Sequence, residues 1–158
     1  MANITYIKVC LEDEIRYAET LLTLLDAERQ ALAKNNGDSL EKIAKDKRQV
    51  AEQLDESAQR RRQQLTSGED PHAGDMQAFI TAQTEEFHQP LQKLWDQLLD
   101  VLGRCREQNH LNGSVLENSQ RNIKQLIALL QGQTQNKEIY GRGGKIIDHS
   151  LEHSLTRA

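Results

Sequence analysis

The stretch ITYIKVCLEDEIRYAETLLTLLDAERQALAKNNGDSLEKI (residues 4–43) decides the fold class. Ile4, Ile7, Leu11, Ile15, Ala18, Leu22, Leu25 and Leu32 follow one another in steps that keep a single apolar stripe on a helix. Glu, Ala, Leu and Arg fill the remaining positions, and all four have high helix propensity. Asn35, Asn36 and Gly37 stop the pattern, because Asn and Gly tolerate the left-handed turn that closes a helix. Asp38 with Glu41 three residues later has the spacing of a capping box, so a second helix starts at once. Two long helices joined by so short a turn form an antiparallel hairpin. The spacing predicts helices over about 4–34 and 39–65.

Working outward, Leu40, Ile43, Val50, Leu54, Ala58 and Leu65 mark the second stripe. Lys47 and Arg61 fall where this stripe calls for apolar side chains, and their stems are expected to lie along the seam with the charges in water. Arg60–Arg62 is read as a solvated helix end. The segment 66–74 (TSGEDPHAG) concentrates turn residues and is a loop. Asp75 is then an N-cap for a third helix over about 75–108, carrying Met76, Phe79, Ile80, Phe87, Leu91, Leu94, Trp95, Leu98, Leu102 and Cys105. Pro90 lies inside it and is expected to kink it rather than break it. Trp95 shares a face with Leu91, Leu98 and Leu102 and is assigned to the core. A fourth helix, about 114–131, follows with Leu116, Ile123, Leu126, Ile127 and Leu130. The expected architecture is all-α: a long antiparallel helical hairpin plus further long helices in an elongated coiled-coil-like bundle. A helical body over 1–131 precedes a mobile C-terminal tail over 132–158.

Composition fits this picture. Apolar residues make up 37% and aromatics 4% of the 158 residues, while 28% are charged, so each helix has one dry stripe and a wet remainder. A net charge of −4 excludes the basic face of a nucleic-acid binder. No stretch approaches the roughly 20 apolar residues that cross a bilayer, and the first ten residues lack the pattern of a secretory signal. Cys10 and Cys105 have no ligand or disulfide spacing and read as reduced core thiols, which places the chain in the cytoplasm.

Catalytic chemistry is not assembled. The GRGGK run at 141–145 lacks the preceding strand, the Gly-to-Gly spacing and the following Ser or Thr of a phosphate loop. His149 and His153 are four apart but have no committed third ligand, so they read as a solvated face rather than a metal site. His72, His88 and His110 form no cluster, and the acidic run Glu12–Glu14 has no base or ligand placed beside it. The expectation is a binding protein with no enzyme activity, no cofactor and no metal.

Asn112 and Gly113 interrupt the apolar pattern between two helical stretches. They form a loop, or they continue the helix with Asn fixing register on a seam and Gly admitting a neighbouring helix. Periodicity leaves both open. The run NHLNGSVLENSQRNIKQLIALLQG (109–132), followed by IYGRGGK (139–145), resembles the FlgN family of flagellar export chaperones. The earlier run ALAKNNGDSLEKIAKDKRQVAEQLDE (31–56) is similar to that family's N-terminal half. The resemblance covers essentially the whole chain, and its most specific parts are Asn112-Gly113, the apolar helix after them, and Tyr140-Gly141.

The resemblance implies a cytoplasmic chaperone of type III export. It would bind the C-terminal helices of hook–filament junction proteins, prevent their premature assembly and deliver them to the export apparatus. Client binding would map onto Val115, Leu116, Ile123, Leu126, Ile127 and Leu130. Docking on the cytoplasmic domain of the export gate would map onto Tyr140 and Gly141. Neither nucleic acid nor membrane insertion is implied. The alternative reading of the helical pattern is a structural, self-associating coiled coil without an export client, and the chain is also a candidate homo-oligomer.

Overall fold

The computed structural model describes residues 2–66 and 75–141, with 133–141 described by backbone alone. Its described elements are all helices: α1 (Ile4–Ala33), α2 (Gly37–Leu65), α3 (Met76–Thr81) and α4 (Glu85–Gly141). By internal packing the chain divides into one unit over Met1–Gly113 and a second over Ser114–Ala158.

In the first unit α1 is the central element. Its buried residues Ile7, Leu11, Ile15, Ala18 and Leu25 form one core with Met76 and Ile80 of α3 and with Leu91, Leu98, Val101 and Cys105 of α4. Asn3 opens α1, its side chain accepting a hydrogen bond from the Tyr6 backbone N–H. The end of α1 is a Schellman turn. The Asn36 N–H donates to the Ala31 carbonyl (3.0 Å) and the Asn35 N–H to the Leu32 carbonyl (3.3 Å). Asn35 takes the left-handed conformation (φ 50°), so the residue type expected to end the helix does so. Helix α2 then begins at Gly37, two residues earlier than the capping-box pattern suggests. The cap is Asn36, which accepts from the Ser39 N–H at 3.2 Å, and Asp38 falls in the first turn, where its charge suits the helix dipole.

The hairpin seam corrects the reading of its basic residues. Arg61 is only 6% exposed and donates through Nε and an Nη to both carboxylate oxygens of Glu14 (2.6 and 3.1 Å), itself 2% exposed. Its guanidinium also lies over the Trp95 ring, 5.0 Å from the centroid. Lys47 donates to Glu28 at 2.9 Å. Glu28 follows Glu14 by two heptads and Lys47 precedes Arg61 by two heptads, so the pairs repeat along an antiparallel interface. Both charges therefore end on partner carboxylates of α1; Arg61 is shut off from water, while Lys47 stays partly exposed. The middle of the 60–62 run is core rather than solvated face, because an acidic residue of the opposite helix waits at that level. Ser57, also buried, adds a bond from Oγ to the Cys10 carbonyl at 3.3 Å.

The expected third helix is two helices. Asp75 caps α3 as anticipated, accepting from the N–H groups of Gln77 (2.9 Å) and Ala78 (3.3 Å). The chain then breaks at 82–84 and restarts at Glu85, with the Thr84 carbonyl accepting from the N–H groups of Phe87 and His88. The interruption is a clean break upstream of Pro90, not a kink at it. Starting α4 at Glu85 places Glu85 and Glu86 against the positive end of the helix dipole. It also puts Pro90 in the second turn, where its missing N–H disturbs only the start of a long helix. From there α4 continues through residues 109–113 without the gap expected there, and past 131 to Gly141. Residues 142–158 of the expected tail, with His149 and His153, lie outside the described residues.

Both thiols are buried and free, as their positions in the stripes implied. Burial pushes each up from the ordinary thiol range, and for Cys10 the nearby Glu14 carboxylate adds to the effect. The Cys105 Sγ–H donates to the Ala18 carbonyl at 3.3 Å. High pKa and burial make both poor nucleophiles.

Candidate protein-interaction surface

Helix α4 carries two interleaved heptad rows. One runs Leu91, Leu98, Cys105, Asn112, Ser119, Leu126; the other runs Trp95, Leu102, Asn109, Leu116, Ile123, Leu130. Within the first unit the first row lies against α1. Cys105 meets Ala18, and seven residues later Asn112 meets Leu25, so α1 and α4 run parallel.

Asn112 settles the alternatives that periodicity left open. It is helical and 3% exposed. Its Nδ2 donates to the Leu25 carbonyl and to Glu28 Oε2, both at 2.8 Å, and its Oδ1 accepts from Gln108 at 2.9 Å. Glu28 in turn holds Lys47, so one polar chain links α4, α1 and α2. A buried polar residue satisfied in only one alignment fixes register, because a slip of one turn would part its amide from both the Leu25 carbonyl and Glu28. Gly113 has a different role from the one considered for it. A Cβ added there meets nothing within 4 Å, so no close helix approach requires the glycine. It stands where the first unit ends, and in a helix it costs about 1 kcal/mol relative to Ala.

In the second unit the rows continue but the apolar residues are exposed. Val115, Leu116, Ile123, Leu126, Ile127 and Leu130 all stand at 45–62% exposure, and Leu129, not singled out from the sequence, at 65%. The six residues selected from the sequence are thus brought together on one helix. Leu129 was legible too, since it lies three residues after Leu126 on the same side. Single exposed leucines are ordinary, but seven aliphatics along four turns of one helix face form a contiguous apolar patch of the kind that marks an interaction site. A family model described as FlgN protein matches residues 1–146. The chain belongs to the FlgN family. Comparison with curated proteins and with solved structures gave no match.

FlgN proteins are flagellar export chaperones, and a chaperone of this family works by holding other flagellar proteins rather than by catalysis. Among the described residues no group of three or more His, Cys, Asp or Glu is placed to hold a metal ion. No described helix is long and apolar enough to cross a membrane. Tyr140 and Gly141, the FlgN tail residues of the sequence reading, fall in the last turn of α4, where backbone alone is described.

Proposed function

We propose that this FlgN-family protein is a cytoplasmic export chaperone that binds the C-terminal helices of hook–filament junction proteins on the exposed face of α4 at 115–130. It keeps these clients unassembled and delivers them to the cytoplasmic domain of the export gate through Tyr140 and Gly141. The observation that carries the reading is the seven exposed aliphatic side chains of the second unit. Filament-type proteins coil amphipathic terminal helices together when assembled, and free helices of that kind aggregate. A complementary apolar face masks them by helix packing. Ser119, Gln120 and Asn122 dilute the face, which favours a grip that can be released.

Co-purification of the full chain with the C-terminal segment of a junction protein is expected to give a stable complex. Recovery of each partner alone would exclude the client assigned here. Tyr140→Ala is expected to lower secretion of the client in an export assay while client binding stays within about twofold. Loss of client binding by that variant would show that Tyr140 belongs to the client surface instead.

A further inference from the structure

We infer that the exposed face of α4 takes two client helices side by side, not one; the inference rests on the client-binding reading above. The face is wide. At about 100° per residue, Val115, Leu126 and Leu129 lie on one flank and Leu116, Ile123, Ile127 and Leu130 on the other, together spanning roughly 160°. A single packed neighbour needs an apolar stripe of about 100°, and a two-stranded coil needs only its two seam rows. Both flanks here carry aliphatic side chains and no charge, and all seven aliphatics are at least 45% exposed.

The same helix shows how such a face is filled. In the first unit the flank of Leu98, Cys105 and Asn112 rests on α1, through the Cys105–Ala18 and Asn112–Leu25 contacts. The other flank, at Trp95, meets Arg61 of α2. Two helices of one hairpin thus share the face there, and residues 115–130 repeat the same heptad rows. The charge pattern identifies the chemistry of the occupant. Glu117, Arg121 and Lys124 all lie on the opposite side of the helix, and neither flank carries a charge. The occupants are therefore paired amphipathic helices whose facing residues are aliphatic and uncharged, since any charge set against these flanks would be buried without a partner.

A synthetic peptide of a junction protein's C-terminal helix, titrated onto the full chain by calorimetry and native mass spectrometry, tests this. Saturation at two peptides per chain is expected, and two copies of the helix joined by a flexible linker should bind at least tenfold more tightly than one. The double variant Ile123→Ser with Ile127→Ser should reduce the stoichiometry from two to one while leaving the remaining site's affinity within about threefold. Saturation of the unaltered chain at one peptide, with no gain for the linked pair, would overturn the inference and leave the client reading standing. Absence of any binding would overturn both.

Discussion

Replacing Leu126 and Leu130 together by Ser is expected to abolish client capture in a pull-down while leaving the fold intact. The two side chains are 59% and 62% exposed, so their truncation opens no cavity in the free protein. Exposed substitutions away from the core commonly change stability by only about 0.5 kcal/mol, and the far-ultraviolet spectrum and melting temperature should stay close to those of the unaltered chain. Binding is different, because complex formation moves both residues from water into a packed seam. Burying a Leu fully is worth about 1.5–3 kcal/mol, and each gives up part of that exposure already in the free helix. The pair should cost about 3 kcal/mol, roughly a hundredfold in Kd. One residue lies on each flank of the face, so the variant injures both. Client binding that survived the double change would place the client surface elsewhere.

The second large effect concerns stability. Arg61→Ala is expected to destabilise the first unit by about 3–5 kcal/mol, because it leaves the Glu14 carboxylate buried with its partner gone. The two N–H···O contacts at 2.6 and 3.1 Å are lost together, and the Trp95 ring loses the guanidinium stacked on it. For a chain of this length the melting temperature should fall by roughly 10 °C. The paired variant Glu14→Leu with Arg61→Leu separates the penalty of an orphaned charge from the worth of the pair. A well-packed apolar pair in place of a buried ion pair is commonly neutral or stabilising, so the double variant should recover most of the loss. If Arg61→Ala melted like the unaltered protein, or the paired variant fell as far as the single one, the pair would not be the clamp described here.

These two sites differ in how legible they were. Val115 to Leu130 could be picked from periodicity because aliphatic residues at helical spacing announce a face, whatever covers it. The Glu14–Arg61 pair could not, because a seam position sets Arg61 apart from its exposed neighbours Arg60 and Arg62 without naming its partner. The signal was present in fragments: Arg61 at a seam position of α2, and Glu14 inside the apolar stripe of α1. Joining them requires the hairpin register, since the partners are 47 residues apart in sequence. The break at 82–84 was missed for a related reason. Pro90 drew attention to itself, while the true restart depends on Thr84 and on the dipole-matched Glu85 and Glu86 six to four residues before it.

By itself the sequence determined that this chain is helical, that it turns at Asn35–Gly37, and that residues 115–130 present an apolar face. These are properties of spacing, propensity and caps, which act within a few residues. Tertiary structure alone decided which face of α4 is core and which is surface, although the heptad rows run through both. The row of Leu91, Leu98, Cys105 and Asn112 is buried where α1 lies beside it, and the apolar residues from Val115 onward are exposed. It also decided the meaning of Asn112. A polar residue on an apolar stripe is ambiguous until the Leu25 carbonyl and Glu28 are set opposite it, and their hydrogen bonds make the interruption in the pattern a point of register.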